Sequence, residues 1–392
     1  MPCVAAVGIA TIKCGLFREI PVLRKYLLLI ILIGMMTEVM SQEKSPDPVV
    51  DLSTMTDLSS LVEKLANKQV VFVGESHDQY QHHLNQLAII KGLYAKHSDL
   101  VIGLEFFFQP YQPILDQYIS GEIDETEMIR QTDYFNRWRF DYRLYRPILR
   151  FAREKGIPLI ALNLESEITS QVGQGGIESL PEELKMRLPS QIDRDNEAYR
   201  SRLQEVFDSH PHRDGGDFER FLDVQLLWDE GMAQQAADWM QVHPDSHLVI
   251  LAGVGHLMYR NGIPDRLLRR LPVSQAIVLN TNTLELLNRD LADYVVLATE
   301  QTLPPSGKMG ILLDAEGSPL SISGFTKESG GAEAGLKKKD RLISIDDQPI
   351  ASYADLRIAL MDKAVGDTIK VEIERNRLFF GPTVKTYQVT LR

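Results

Sequence analysis

Four ionisable side chains stand just behind short apolar runs of this sequence. Each run ends in a glycine, and the residues that follow the glycines include Glu75, His77, Glu105 and His256. Imidazole nitrogens and carboxylate oxygens ligate divalent metal ions, and a carboxylate also holds a water for proton transfer. These residue types therefore predict a metal or proton-transfer site, provided that the fold brings the four side chains together.

The apolar runs that precede these residues predict a buried sheet. Short β-branched runs bounded by glycine are typical of strands, and apolar character without alternation indicates a parallel sheet covered on both faces. The runs cover residues 70–73, 101–102, 157–163, 248–252, 277–279 and 295–298. The fold class is therefore α/β, with a central, mostly parallel sheet flanked by helices. Ligands bind at the carboxyl edge of such sheets, where the four side chains would meet.

The residues after Gly74 predict the start of a helix. Ser76 and Gln79 have the spacing of a capping box, and the helix is expected to reach about His97. His77 would then lie near the positive end of the helix dipole, which favours a neutral imidazole.

Three further polar residues are candidates for the same pocket. His83 and Gln86 lie three residues apart on one face of the predicted helix, and Asn163 ends a predicted strand.

An irregular stretch over residues 170–216 is predicted to cover the sheet as an excursion or lid. Its two histidines, His210 and His212, are possible lid ligands, although loop histidines are usually only solvated.

Aromatic and arginine side chains are interleaved between residues 133 and 150. On one helix, Trp138, Tyr142 and Tyr145 would share a face, a flat apolar surface suited to a porphyrin whose carboxylates meet the neighbouring arginines. Packing in a helical core produces the same composition, so both interpretations stay open.

The acidic balance of the chain disfavours two classes of partner. Its 392 residues carry a formal net charge of −12, and the acidic excess lies within residues 42–303. Such a surface disfavours nucleic acid and anionic membranes as main partners.

The first 41 residues predict a signal peptide. Arg24 and Lys25 precede a short apolar stretch that has the length of a signal-peptide core rather than of a bilayer-spanning helix. The protein is therefore expected to be exported to the periplasm or cell envelope, with an uncleaved leader as the only predicted membrane contact. Both cysteines, Cys3 and Cys14, lie in this leader, so the cleaved chain would have no disulfide or thiolate metal site.

Consecutive prolines mark a domain boundary. Pro304 and Pro305 continue neither a helix nor a strand ladder, and short strands with turns follow them. We expect a large domain over residues 42–303 and a small β-rich domain over residues 304–392.

The large domain resembles a known family through the combination of its motifs. The segments are Gly74-Glu-Ser-His77, Gly103-Leu-Glu-Phe-Phe107, Gln225 to Asp229 with Met232-Ala233, and Ala252-Gly-Val-Gly-His256 with Gly262-Ile-Pro264. Together they resemble the ChaN-like haem-uptake family, whose superfamily includes the TIKI metallopeptidases and the erythromycin esterases. The resemblance covers roughly residues 50–300.

This resemblance implies an α/β domain with a cleft at the strand ends, haem binding and a link to iron acquisition. It places Glu75, His77, Glu105 and His256 in the pocket, with His83 near them. The family is thought to hold haem through tyrosine, and the candidates here are Tyr80, Tyr142, Tyr145 and Tyr259. Many members resemble lipoproteins, whereas this chain offers no lipid-acceptor cysteine at the expected cleavage point.

The C-terminal segment resembles a PDZ domain of the bacterial type. Lys308-Met309-Gly310-Ile311 is similar to the carboxylate-binding loop, and Ser329-Gly-Gly-Ala-Glu-Ala-Gly-Leu336 is similar to the turn signature. The resemblance implies capture of a C-terminal or extended peptide, whose carboxylate the loop at Met309, Gly310 and Ile311 would hold. An envelope protein is the expected partner.

Three functions are compatible with these patterns. The first is an exported protein that binds haem or a divalent metal ion and docks to an envelope partner through its PDZ domain. The second is a metal-dependent hydrolase or peptidase in which Glu75 or Glu105 acts as a base, and His77 and His256 ligate metal or stabilise the transition state. The third is a non-catalytic scaffold. Whether the protein is an enzyme stays open.

Overall fold

A parallel sheet of six strands forms the centre of the large domain. The strands are β1 (Val70–Glu75), β2 (Leu100–Phe108), β3 (Leu159–Asn163), β4 (His247–Gly253), β5 (Gln275–Thr281) and β6 (Tyr294–Leu297). Their order in the sheet is β3-β2-β4-β1-β5-β6, and each neighbouring pair is parallel. The prediction of an α/β fold with a central parallel sheet is confirmed.

The structure is a computed structural model and describes residues 51–209, 217–284, 287–314, 320–377 and 381–392. The predicted signal peptide over residues 1–41 and the predicted lid ligands His210 and His212 lie outside the described residues. Within the described ranges, no helix is both long and apolar enough to cross a membrane.

Alternate residues of β1 enter two separate apolar cores. Val71 and Val73 pack into one core, whereas Val70 and Phe72 pack into the other. Successive side chains of a strand point to opposite faces, so a sheet covered on both faces needs an apolar residue at every position. This requirement explains the unbroken apolar run, which ends at Glu75, the last residue of β1.

Helices cover both faces of this sheet. The large-domain helices are α1 (Leu58–Leu65), α2 (Tyr80–Tyr94), α3 (Gln112–Ser120), α4 (Glu125–Gln131), α5 (Tyr134–Arg137), α6 (Tyr142–Lys155), α7 (Ser166–Gly175), α8 (Glu182–Lys185), α9 (Glu197–Ser209), α10 (Phe218–Val242) and α11 (Ile263–Arg270).

The helix predicted to start at Ser76 begins four residues later. Gln79 precedes the first helical residue, Tyr80, and makes no side-chain capping bond. The Ser76 amide instead donates to Nδ1 of His82, at 3.0 Å. Residues 76–79 are therefore a loop, and the predicted capping box is wrong.

The aromatic stretch does not form one helix. Arg139 has a φ of 69°, and this left-handed backbone conformation interrupts the helix between α5 and α6. Trp138 thus follows α5, whereas Tyr142 begins α6 and Tyr145 lies one turn further along it.

The described part of the predicted lid is a packed layer. Its helices α7, α8 and α9 bury small apolar clusters against α10, with Ile168 and Val172 against Leu227 and with Leu203 against Leu226.

The C-terminal domain has its own core and two small sheets. Its strands are β7 (Ile311–Leu313), β8 (Ile322–Phe325), β9 (Arg341–Ile345), β10 (Gln348–Pro349), β11 (Thr368–Arg377) and β12 (Gly381–Thr390), and its helices are α12 (Gly330–Ala334) and α13 (Tyr353–Leu360). Strands β10, β9, β11 and β12 form one antiparallel sheet, and β7 pairs with β8.

Helix α13 packs against α4 and α5 of the large domain. Three pairs of side chains join the two domains, namely Arg130 with Asp355 at 2.7 Å, Arg146 with Asp362, and the Arg357 guanidinium over the Phe135 ring at 4.5 Å. Ala354 and Met361 are also members of a large-domain core. The C-terminal domain therefore packs against the large domain through specific side-chain contacts.

Candidate functional site

Three adjacent strands bring the predicted residues together: Glu75 ends β1, Glu105 lies within β2, and His77 and His256 follow β1 and β4. Strand β4 lies between β1 and β2, and Glu75 is the register partner of Gly253 at the end of β4. One ligand atom each from Glu75, His77 and Glu105 lies within 4.8 Å of the others. Nε2 of His256 lies 3.3 Å from Oε1 of Glu105. The four side chains thus share one edge of the sheet.

A carboxylate fixes the ring of His77. Its Nδ1 lies 2.6 Å from Oε1 of Glu75, and the rings of Trp138 and Phe140 stand 4.8 and 4.9 Å from the imidazole, centroid to centroid. The other side of the ring faces the backbone of Gly253, where a Cβ would lie 3.2 Å from Nε2.

A second carboxylate fixes the ring of His256. Its Nδ1 lies 2.6 Å from Oδ1 of Asp229, and Oδ2 of Asp229 accepts a hydrogen bond from the Tyr199 hydroxyl at 2.7 Å. A histidine that ligates a metal usually has its second nitrogen held in this way by a carboxylate. Asp229 and Tyr199 were not predicted as site residues; the sequence signal for Asp229 was its place in the motif Gln225 to Asp229, and no motif contained Tyr199.

Glu105 is the shared acceptor at the centre. Its Oε2 accepts a hydrogen bond from the Gly253 amide at 2.6 Å, and its Oε1 faces His256. Asn163, another predicted pocket residue, donates its amide to the Glu105 carbonyl at 3.0 Å. Asn163 therefore supports the backbone of Glu105 from the neighbouring strand.

The charges of the cluster reinforce one another. Burial lowers the pKa of His77, but its hydrogen bond to Glu75 and the charges of Glu105 and Glu75 outweigh burial and raise the pKa above 6.5. Burial likewise opposes charge on His256, yet Asp229 and Glu105 raise its pKa well above 6.5. Burial also raises the pKa of Glu105, but His256 and His77 bring it from 4.5 down to about 2. The predicted effect of a helix dipole on His77 is wrong, because the helix starts only at Tyr80, and the neighbouring Glu75 favours the protonated ring.

His83 and Gln86 lie behind the cluster. Nδ1 of His83 and Oε1 of Gln86 are 3.0 Å apart, and the Gln86 amide donates to the Val73 carbonyl of β1 at 2.9 Å. Burial lowers the pKa of His83. The two residues are completely buried and tie α2 to β1, so they support the site from below.

The donor set fits a divalent cation. The imidazole of His77 and the carboxylates of Glu75 and Glu105 are usual ligands for zinc and similar ions. Oε2 of Glu75 is buried and has no hydrogen-bond partner, and Nε2 of His83 lies 3.9 Å from it, beyond hydrogen-bond distance. A buried carboxylate oxygen without a partner carries a desolvation cost that a bound cation would remove.

Two cavities flank the loop that carries His256. One, of about 450 Å³, is bordered by His256, Gln225 and Gly255 and by side chains of α9 and α10, namely Arg202, Leu203, Val206, Phe207 and Phe221. The other, of about 340 Å³, lies beside Ser76, His82 and Val254 and is closed by residues of β5 and the segment after it. Both volumes are in the range of small-molecule pockets.

The four tyrosines predicted as haem ligands line neither cavity. Tyr142 is completely buried and donates to Glu125 at 3.1 Å. Tyr145 is buried too, and its hydroxyl accepts from Nε1 of Trp138 at 3.1 Å. The Tyr259 hydroxyl accepts from Asn288, and Tyr80 is a partly buried residue at the edge of the core. The structure thus places Tyr142 and Tyr145 in the core rather than at a ligand surface.

A second group of potential ligands lies at the opposite edge of the sheet. It consists of His97, Asp99 and His247. The two imidazoles are stacked, with ring centroids 3.5 Å apart and an interplanar angle of 17°. Nitrogen lone pairs lie in the ring planes, and nearly parallel planes cannot direct two of them at one ion. This group is therefore a stacked pair rather than a metal site.

The predicted carboxylate-binding loop lines a groove of the C-terminal domain. Met309, Gly310 and Ile311 border a cavity of about 410 Å³ together with residues of α13. Gly310 has a φ of 69°, and a Cβ there would lie 2.6 Å from the Cα of Ser329, so the loop requires glycine. Ile311 begins β7, which among the described residues pairs with β8 alone, so its other edge is available to an added strand.

The doubly covered sheet, the histidine–carboxylate rim and the groove define an α/β ligand-binding protein with a peptide-binding module. A family model described as "Haem-binding uptake, Tiki superfamily, ChaN" matches residues 61–267, more than half of the chain, and the chain belongs to this family. A PDZ domain model matches residues 307–386. Both resemblances predicted from the sequence are confirmed.

A similar solved structure supports the fold assignment of the large domain. The structure titled "Cofacial heme binding to ChaN of Campylobacter jejuni" aligns with a TM-score of 0.50 at 17% identity, and the alignment covers 61% of this chain and 91% of that one. Protein RETICULATA-RELATED 5, chloroplastic, of Arabidopsis thaliana is 26% identical over an alignment of 251 residues, and the match covers 57% of this chain but only 32% of that relative. The structure of a serine endoprotease from Yersinia pestis aligns at 20% identity, and the alignment covers 22% of this chain and 28% of the endoprotease chain. Its TM-score is only 0.19.

Proposed function

We propose that this protein binds haem in the 450 Å³ cavity bordered by His256 and helices α9 and α10. The observation that carries the proposal is the position of His256 at the border of this cavity. Its ring is held by Asp229 at the border of an apolar cavity, as a histidine that faces haem iron would be held. Membership of the haem-uptake family supports the same ligand.

The lining of this cavity fits the chemistry of haem. Leu203, Phe207 and Phe221 supply apolar surface for the macrocycle. Arg202 supplies a cation for a propionate, because its buried Nε has no hydrogen-bond partner while its NH2 group donates to Asn261. Nε2 of His256 is the ring nitrogen that would reach iron, in place of its present contact with Glu105.

Haem titration of the full-length protein tests this proposal. We expect the wild type to shift the Soret band with a defined stoichiometry, and we expect His256→Ala and Arg202→Gln to weaken binding at least tenfold. His97→Ala is the matched control, since His97 lies at the opposite edge of the sheet. Equal binding by wild type and His256→Ala would contradict the assignment of this cavity.

A second candidate function is divalent metal binding that supports hydrolysis. The observation that favours it is the buried, unpartnered Oε2 of Glu75 beside His77 and Glu105. In this arrangement Glu75, His77 and Glu105 would hold the ion, which would supply an activated water for hydrolysis, with Glu75 or Glu105 as the base. Metal analysis after dialysis against zinc or manganese tests it: one ion per chain is expected, lost in His77→Ala and kept in His247→Ala. Absence of bound ion in the wild type would reject this candidate.

We also propose that the protein is exported and that its PDZ domain docks it to an envelope protein during iron acquisition. The support is the apolar leader with its basic residues and the PDZ domain itself. Cell fractionation together with N-terminal sequencing of the purified protein tests export. A new N-terminus near Ser41 in an envelope fraction is expected, whereas an intact leader on cytosolic protein would contradict the proposal. If neither haem nor a metal ion binds, the scaffold function is the one left.

A further inference from the structure

The peptide groove of the PDZ domain has one wall that belongs to the large domain. Phe135, Asp141 and Arg143 border the same 410 Å³ cavity as the carboxylate-binding loop. Phe135 lies in α5, Asp141 immediately precedes α6, and Arg143 lies in α6. A peptide in the groove would therefore contact both domains. Arg143 is anchored across the domain boundary, because its NH1 group donates to the Pro304 carbonyl at 3.0 Å.

The charged residues of this groove leave an excess of positive charge. Arg143 is paired with Asp141, at 2.7 Å between NH2 and Oδ2. Lys308 and Arg357 also line the groove, and among the ion pairs of the described chain neither has a carboxylate within 4 Å. Lys308 is exposed, while Arg357 is held in place by the Phe135 ring and by a hydrogen bond to the Tyr353 hydroxyl at 3.1 Å.

The floor of the groove is apolar. Ile311, Leu356, Leu360 and Met361 line it beside the loop at Gly310. An apolar floor next to a carboxylate-binding loop suits a peptide whose last side chain is apolar.

We propose that the large domain forms part of the peptide receptor and that the composite groove takes an acidic tail. The ligand is a partner segment that ends in an apolar residue with a free carboxylate and carries aspartate or glutamate upstream of it. Complementary charge speeds association and selects the partner. This inference rests on the proposed docking through the PDZ domain.

Fluorescence anisotropy with the full-length protein tests the inference. The probes are three labelled decapeptides that end in valine: one with three upstream glutamates, the same peptide with a C-terminal amide, and one with three lysines in place of the glutamates. We expect the acidic peptide with a free carboxylate to bind at least tenfold more tightly than either of the other two.

Two substitutions separate the contributions of the domains. Lys308→Gln removes an exposed cation of the PDZ domain, and Arg143→Gln removes one from the large-domain wall. Each should weaken binding of the acidic peptide about fivefold and the effect should shrink in high salt. Lys338→Gln and Lys155→Gln are the matched controls, because both residues are exposed and outside the groove. Thermal unfolding of each variant shows whether it is folded.

The outcomes distinguish the inference from the function on which it rests. If the wild type binds none of the peptides, docking through the PDZ domain is itself rejected. If the wild type binds acidic and basic peptides equally, or if a folded Arg143→Gln protein binds like the wild type while Lys308→Gln is weakened, the large domain takes no part and only the composite groove is rejected.

Discussion

The imidazole of His77 lies directly against the backbone of Gly253. A Cβ at position 253 would stand 3.0 Å from Cε1 and 3.2 Å from Nε2 of that ring. The glycine at the end of β4 therefore makes room for a histidine from the loop after β1, and two segments far apart in sequence depend on each other at this point.

Gly253→Ala is expected to displace His77 without unfolding the protein. The His77 ring must move by a few tenths of an ångström, and a shift of that size changes the geometry of a metal site enough to weaken binding. We expect metal affinity to fall about tenfold, while haem binding at His256 changes little. Gly255→Ala is the matched control, since nothing lies within 4 Å of an added Cβ there. Metal analysis and the Soret titration give the two readouts, and unchanged metal affinity in Gly253→Ala would count against His77 as a ligand.

Asp229→Asn is expected to weaken haem binding by about 10- to 100-fold, because it removes the charge that orients His256. The pKa of His256 should fall as well, since Asp229 helps to raise it. Tyr199→Phe, which removes only the hydrogen bond to Asp229, should have a smaller effect in the same direction. The measurement is a haem titration across pH values. Haem affinity that is the same in Asp229→Asn and wild type would show that His256 does not face the iron.

Glu105 and His256 should stabilise the ligand-free protein most in mildly acidic solution. The pKa of Glu105 is lowered from 4.5 to about 2, so its contribution is complete above pH 4.5 and is lost as the pH falls through about 2. The pKa of His256 is raised, so its contribution is complete below pH 6.5 and is lost as the pH rises through its folded value. Both contributions are therefore complete between pH 4.5 and 6.5.

Urea unfolding of wild type and Glu105→Gln over a pH series measures this window. The free energy of unfolding should differ most between pH 4.5 and 6.5, by about 3 kcal/mol, the magnitude that corresponds to the lowered pKa of Glu105. Glu154→Gln is the control, because Glu154 is an exposed surface residue. A difference between wild type and Glu105→Gln that does not change with pH would argue against the ion pairs.

Tyr142→Phe should leave haem binding unchanged and lower the free energy of unfolding by about 1–3 kcal/mol. Tyr142 is buried and its hydroxyl donates to the partly buried Glu125 carboxylate, so the substitution removes a charge-assisted hydrogen bond. The Soret titration and urea unfolding report the two effects. A Soret change in this variant would restore Tyr142 as a candidate ligand.

The sheet and the meeting of the four side chains could be predicted because both follow from local patterns. Residues of a doubly covered parallel strand must be apolar, and the carboxyl ends of neighbouring parallel strands share one edge. These two rules are enough to bring Glu75, Glu105 and His256 together without any knowledge of the strand order.

Asp229 could not be predicted as a site residue because its position depends on packing. It lies in the middle of α10, where helical spacing defines a face but not what that face meets. The first turn of α2 and the break at Arg139 were missed for a related reason. A capping-box spacing also fits the loop, and periodicity alone does not reveal a residue with positive φ.

The packing of the PDZ domain on the large domain would restrict the position of any protein whose tail binds in the peptide groove. The ion pair of Arg130 with Asp355 and the stacking of Arg357 on Phe135 hold the PDZ domain against the large domain. A protein whose tail binds in the groove would be confined to a restricted volume around the large domain. Its effective concentration there would then be set by the geometry of the two domains rather than by its abundance.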